Sequence, residues 1–522
     1  MSNPDLDRAI QLFQEDRLDD AAEILNTLIE NDGASIDAYE GLARISARSG
    51  RIEEAAEYAN RAAHFPEANF EVHQLAGMAN RLVGDHEKAL ASYERCLQLV
   101  PGHLQSIGEL AILQSILGNH EVAHKEIATA IRRHPSIAEL YYIRGQVFGN
   151  EGRFDEEINE YKLAIKLNPR MIDAYINAGV AYRELHKFDD ALSMFKKALA
   201  IDPNNAPARN NRAQTNLMLQ NFEHGWREYE WRWRDGVQSN PYHAPLWMGQ
   251  PAPAGKTLLI HAEQGFGDTL QFIRYLHPLS EVATDLVVVV QPQLRSLLAD
   301  QFPGIPFVTG VEDLQPYDLQ TPLMSLPLAL IKTCPGIPVH IPYVVAPTEK
   351  VELWRRRTES LSDGKRLKVG LSWAGSRKFF NDRRVVNLSE LSPIFGIDCD
   401  FVSLQKDLTQ TDRDHLTRAP ELHDFTGELH DFSDTAGLIA SLDIVITIDT
   451  AVAHLAGAMG KEVWTMLGAQ ADWRWHIDRD DSPWYPTMTL FRQNVPGSWS
   501  SVIAKVIERL EQRVSEFQPL EN

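Results

Sequence analysis

Three cysteines stand in 522 residues, Cys96, Cys334 and Cys399, far apart and without a CxxC pair. That scarcity excludes a disulfide framework and a cysteine-rich zinc site, and it fits a reducing cytoplasm. Basic residues are in deficit, 51 against 72 acidic ones, for a formal charge of -21 at pH 7. Such a chain repels the phosphates of nucleic acid and of anionic lipid, so neither is an expected partner. Long apolar runs are missing too. The best, around Ile444 to Ile448, reads as a buried strand, far short of the ~18 residues that span a bilayer. The opening residues, Met1 to Asp7, are polar and acidic where a secretory leader is basic and then apolar. The expectation is a soluble, cytoplasmic protein with no membrane insertion. Tryptophan is absent before Trp226, yet all eleven lie at or beyond it, so the architecture changes there.

What fills the first part is a repeat. Gly50, Gly84, Gly118 and Gly152 are spaced by 34 residues, as are Pro101, Pro135, Pro169 and Pro203. Alanine keeps the step at Ala21, Ala55, Ala89, Ala123 and Ala191, with Glu157 breaking the series. The unit this describes is a pair of antiparallel helices. Glycine takes the positive φ of the turn, proline follows a helix it cannot continue, and alanine lets the helices approach. Gly179, Tyr182, Ala191, Phe195, Ala198 and Pro203 match the tetratricopeptide pattern position by position. About six units precede an incomplete seventh from Asn205, which runs into Gly225–Arg234. The expected domains are a repeat array over 1–235 and a Pro/Gly-rich linker over 236–255.

From Lys256 the helical period gives way to strand–helix alternation, the mark of parallel sheets. Thr257–His261 and Asp285–Val290 read as strands of one Rossmann-like lobe, over 256–345. Leu367–Trp373, Phe401–Leu404 and Asp443–Asp449 read as strands of a second, over 346–522, closed by an amphipathic helix from Val502 to Val514. The expected fold class is therefore an all-α solenoid followed by an α/β unit of two lobes with a cleft between them, the GT-B arrangement.

Two segments carry chemistry. In Asp449-Thr450-Ala451-Val-Ala-His454 an apolar strand runs into a helix of small residues. Its free amides and dipole form an anion site, to which Thr450 and His454 can add donors. On these residues alone, an N-cap with His454 packed inside is an equal reading. Gly265-Phe-Gly267-Asp268 is a glycine turn entering a helix. Its glycines permit close approach, and Asp268 is suited to take a proton from an attacking hydroxyl; on spacing alone, an acidic residue placed at a helix start to suit the dipole is the commoner reading. Trp373 lies at the mouth of the loop Ala374-Gly-Ser and is grouped with Gly265 and Gly267 at the cleft. Asp398-Cys-Asp400 spells a DxD metal motif, but it precedes a strand at the end away from the cleft and reads as a turn. No metal or other cofactor is expected.

Taken in order, these segments resemble the heptosyltransferase-like GT-B glycosyltransferases, and more closely their tetratricopeptide-bearing bacterial members. His261–Tyr275, Leu371–Gly375, Ser403–Lys406, Asp449–Gly457, Asp472–Trp475, Ser482–Pro486 and Leu490–Gln493 carry the likeness. It implies inverting, metal-independent transfer from a nucleotide-sugar. Asp268 is then the base, and Asp449, Thr450, Ala451 and His454 hold the donor phosphates. A basic residue assists, with Lys378, Arg383, Arg384 and Lys406 all open as candidates. The layout also resembles the eukaryotic O-linked N-acetylglucosamine transferases, whose asparagine ladder bonds a peptide; Asn177 and Asn211 share that register here, or are ordinary polar surface positions. The resemblance implies a protein acceptor on the repeats, with flagellin and a CMP-nonulosonic acid as the leading pair. A glycan or lipopolysaccharide acceptor, and a non-catalytic scaffold whose lobes only bind a ligand, are the alternatives.

Overall fold

The computed structural model describes residues 4–32, 35–234, 240–250, 255–283, 285–338, 340–362, 365–375, 384–417 and 419–517. The chain divides into two compact units, Met1–Pro203 and Asn204–Asn522. The first consists of six helix pairs, from Pro4–Gln14 with Leu18–Asp32 to Ile172–Glu184 with Phe188–Ile201. The turn position that the glycines mark recurs in every pair. Gly50, Gly84, Gly118 and Gly152 have φ between 75° and 83°, and at the same 34-residue step Asp16 and His186 take φ of 63° and 56°. The repeat thus dictates the left-handed conformation even where the residue there is not glycine. In three of the pairs a glycine faces an aromatic ring. A Cβ on Gly77, Gly145 or Gly179 would come within 2.9 Å or less of the ring of Tyr93, Tyr161 or Phe195. Glu157, which breaks the alanine series, fits because its carboxylate lies over Gly149 and accepts from Tyr161 Oη at 2.9 Å.

The second unit opens with a seventh pair, Ala206–Met218 and Phe222–Tyr229. Gln220 holds its turn at φ 63°, again one step on. The division of the chain therefore precedes this pair, where the sequence marks a change near 235. Trp226 explains why: it packs edge-on against Phe272 and Trp473 with centroids 5.8 and 5.3 Å away. Arg232, buried in the short helical turn that follows, donates to Glu263 at 2.7 and 2.8 Å. Even the proline-rich stretch read as linker contributes, since Trp247 N donates to Gln320 O and extends a sheet edge.

Two parallel sheets follow. The first has β1 (Thr257–His261), β2 (Asp285–Val289), β3 (Phe307–Val308) and β4 (Leu319–Pro322) in the order β3-β2-β1-β4. The second has β5 (Leu367–Ser372), β6 (Cys399–Ser403), β7 (Leu422–Asp424), β8 (Ile444–Ile448), β9 (Glu462–Leu467) and β10 (Met488–Arg492) in the order β10-β9-β8-β5-β6-β7. Strands β5, β6 and β8 are almost wholly buried, as expected of sheets covered on both faces. In each sheet the connection reverses direction once, beside β1 and between β5 and β8. The strand ends at such a reversal open a crevice.

Candidate functional site

Gly265 and Asp268 follow β1 at the reversal of the first sheet. Gly265 is the N-cap of the helix Phe266–Phe272, and its N–H donates to Asp268 Oδ2 at 2.9 Å. The other oxygen, Oδ1, accepts from Arg474 Nη2 at 2.5 Å. Arg474 is almost fully buried. Its Nη1 reaches Asp472 Oδ1 at 2.7 Å and its Nε reaches Gln271 Oε1 at 3.0 Å, while the guanidinium lies 4.3 Å from the Trp473 ring centroid. Burial works against that charge, but Asp472 and Asp268 outweigh it and hold the guanidinium well above its usual range.

Asp449 and Thr450 follow β8 at the reversal of the second sheet. Thr450 stands at the N-cap of the helix Ala451–Ala458, yet its side chain makes no cap bond; its hydroxyl pairs with Thr447 Oγ1 at 3.1 Å. The Asp449 carboxyl is pushed up to about 6, first by burial and then by Asp472, against the pull of Arg384 and Arg474. Arg384 Nη1 lies 3.7 Å from Asp449 Oδ2. The Trp475 indole N–H sits beside Asp449, close enough to favour its charge but outside strict hydrogen-bond geometry.

The two helix starts meet at Gly267. A Cβ there would lie 2.8 Å from His454 Cδ2 and 3.6 Å from Ala451 Cα, so only glycine lets them approach this closely. His454 is 4% exposed, stacks on Trp475 at 5.2 Å and has Nδ1 2.8 Å from Tyr485 Oη. Burial, and then the charges of Arg474 and Arg274, hold its imidazole well below the usual range, so it is neutral at pH 7. Asp268, Ala451 and His454 are therefore brought to one place, with Arg384, Asp449 and Thr450 at its second-sheet side.

Other candidate residues lie elsewhere. Trp373 is not a cleft residue: it is completely buried in the core of the second sheet, and its indole donates to Asp412 Oδ1 at 3.1 Å. Its ring turns inward because the strand's alternation continues one residue beyond β5. Lys406 is exposed, and its Nζ contacts the His430 carbonyl at 3.5 Å. Lys378 and Arg383 lie outside the described residues. Asn177 Nδ2 donates to Tyr142 Oη at 3.0 Å, while Asn211 Nδ2 donates to Pro207 O, also at 3.0 Å. Stepping back by 34 from Asn177 meets Ile143, Glu109, Leu75 and Gly41, so the register holds no longer ladder of amides. Among the described residues no group of three or more His, Cys, Asp or Glu side chains could hold a metal ion. Nor is any described helix long and apolar enough to cross a membrane.

Arg274, Arg474, Trp475 and Tyr485 lie in the segments that carry the family resemblance, which assigns them no role. Arg274 is fully buried. It donates to Trp484 O and Tyr343 Oη at 2.8 Å each, joining the helix turn after Asp268 to two distant segments. The available signal was a run of tryptophans and tyrosines mixed with arginine, since buried arginine stacks on aromatic faces.

A helical repeat solenoid followed by parallel sheets is the class these observations define. Family models described as tetratricopeptide repeat match residues 6–72, 70–103, 110–172, 172–205 and 194–223. The chain is similar to Protein FlbA of Caulobacter vibrioides, 26% identical over 333 residues, which cover 57% of this chain. The match spans 54%, about half, of that protein's length. Among solved structures it is similar to a tetratricopeptide repeat protein from Parabacteroides merdae, at 18% identity and a TM-score of 0.41, covering 45% of this chain and 92% of that one. Yeast Tom70 matches at 20% identity and a TM-score of 0.33, covering 40% of this chain and 45% of that one.

Proposed function

We propose that the second unit is a two-lobe glycosyltransferase of GT-B type. It moves a sugar from a nucleotide-activated donor, without a metal and with inversion, to a Ser or Thr hydroxyl of a protein held by the repeats. Flagellin and a CMP-nonulosonic acid are the specific pair proposed. The observation that carries the reading is the meeting of Asp268 with the start of the Ala451–Ala458 helix across Gly267. Asp268 takes the acceptor's proton as its oxygen attacks the anomeric carbon. The nucleotide leaves with the electrons of the broken C–O bond, and its phosphate charge falls to the helix amides, Thr450 and Arg384. Oδ1 of Asp268 is occupied by Arg474, so Oδ2, which has only one backbone donor, is the oxygen assigned to the proton.

The test is a thermal-shift screen of CMP, UDP, GDP and ADP, followed by transfer assays with the matching sugar donors. One nucleotide should raise the melting temperature, because a ligand that binds only the folded state stabilises it. Asp268→Asn should keep that shift and lose transfer by roughly 10²–10⁴-fold. Turnover within about tenfold of wild type removes Asp268 from the role. A ligand-binding scaffold is the second reading, and the grip of Arg474 on Asp268 is the observation in its favour.

A further inference from the structure

We infer that Tyr485 is the positioning residue of this site: its hydroxyl donates to His454 Nδ1 and so leaves the ring proton on Nε2, turned toward the gap between Gly267 and Ala451. This rests on the phosphate-site reading of that gap and adds to it the group that aims the histidine. Three sides of the imidazole are fixed. Trp475 covers one face at 5.2 Å with 24° between the planes, Tyr485 Oη meets Nδ1 at 2.8 Å, and the Cδ2–Nε2 edge lies against Gly267. A Cβ at Gly267 would be 3.5 Å from Nε2. No hydrogen bond to Nε2 is made among the described residues.

The direction of the Tyr485 bond follows from its neighbours. Tyr343 commits its own proton to Leu270 O at 2.8 Å and accepts from Arg274 Nη2 at the same distance. Arg274, which has donors and no acceptor, stands beside the Tyr485 hydroxyl as well as 4.9 Å from its ring centroid, so it offers the hydroxyl proton no acceptor and leaves that proton to the histidine. Tyr485 is itself clamped to the helix that bears His454. Gly457, one turn on, leaves the space, since a Cβ there would come within 2.5 Å of Tyr485 Cγ. Arg274 and Arg474 are the charged groups facing the imidazole, and both oppose a third positive charge. The ring thus serves as a neutral donor to an anion, and one anchored tautomer is needed for that.

The experiment is nitrogen-15 NMR of histidine-labelled full-length protein, with His454→Gln assigning the signal and pyrophosphate as the probe. Expected is the Nε2–H tautomer, unchanged from pH 5.5 to 8, and a shift of Nε2 on adding pyrophosphate. Tyr485→Phe, which keeps the ring that packs on Gly457, should give mixed tautomers and bind pyrophosphate roughly tenfold more weakly. An Nδ1–H tautomer in the wild type overturns the inference whatever the variant does. So does a Tyr485→Phe protein with the wild-type tautomer and affinity. No pyrophosphate response in the wild type, with the tautomer as expected, instead overturns the phosphate-site reading and with it the donor role of His454.

Discussion

Arg474 and Asp268 are 206 positions apart in the chain and joined by a 2.5 Å hydrogen bond. One follows β9 of the second sheet and the other follows β1 of the first, so this bond ties the two sheet ends together at the site. Its partners decide its worth. The side chains are 10% and 20% exposed, and the arginine is shared with Asp472 and Gln271. Arg474→Gln leaves two partly exposed carboxylates, Asp268 at 20% and Asp472 at 35%, without their cation and should cost about 1–2 kcal/mol of unfolding free energy. Arg474→Lys should recover little of this, because an ammonium cannot reach three acceptors with a planar fork. Denaturant titration reads both, and a cycle with Asp268→Asn should show a coupling of about 2 kcal/mol. Additive losses mean the pair contributes nothing beyond packing.

Asp449 makes stability depend on pH. Its carboxyl is raised from the ordinary 3.8 to about 6 in the folded protein, so the folded state favours the protonated form. The stabilisation is complete below about 3.8 and is lost as pH rises through about 6. Above pH 6 Asp449→Asn should therefore be the more stable protein, by up to about 3 kcal/mol. The advantage should shrink as pH falls from 6 toward 4. Melting temperatures of both proteins between pH 4 and 8 check this; a difference independent of pH refutes it.

The turns of the repeat offer a contrast. Gly118 sits at φ 83° with no atom near a would-be Cβ, so Gly118→Ala meets only backbone strain and should cost about 1 kcal/mol. Gln220 already carries that strain at φ 63°. Gln220→Gly should relieve it and, after the greater freedom of glycine in the unfolded chain, gain about 0.5 kcal/mol. Equilibrium unfolding measures both, and effects of the same sign contradict the explanation.

The place at which the chain is cut matters. A fragment of residues 204–522 keeps Trp226 against Trp473 and Arg232 on Glu263, and should unfold cooperatively and retain nucleotide binding. A fragment of 236–522 strands the buried Glu263 carboxylate without its cation and bares Phe272 and Trp473, at a cost of about 3–5 kcal/mol for the ion pair alone. It should aggregate or melt well below the longer fragment. Equal melting temperatures count against the seventh helix pair as part of this unit.

The repeat was legible because each of its positions answers to a local demand. Turn, helix stop and close helix contact each call for one residue type, and the step of 34 exposes them. Strands β1, β2 and β8 were legible for a similar reason, being short runs dominated by Leu, Ile and Val, and β5 by its alternating Leu367, Val369 and Leu371. Strands β3 and β7 were not, because two or three residues at a sheet edge carry no periodicity of their own. Trp373 lies in the core and not at the cleft, because a loop that follows a buried strand does not announce where the inward-facing alternation ends.

Asp268 and His454 stand out in the sequence by a glycine turn and a small-residue helix, each a feature of a dozen residues or fewer. What holds them was not. Arg474, Trp475, Arg274 and Tyr485 act through contacts that cross between 21 and 210 positions, and the aromatic run around the arginines signals burial without naming the partner. Sequence alone determined the repeat, the parallel sheets and the segments at their ends, because backbone geometry and hydrophobic period are local properties. Only the tertiary structure decided that Gly267 admits His454, that Arg474 occupies Asp268 and that burial keeps His454 neutral. Those depend on which surfaces exclude water together.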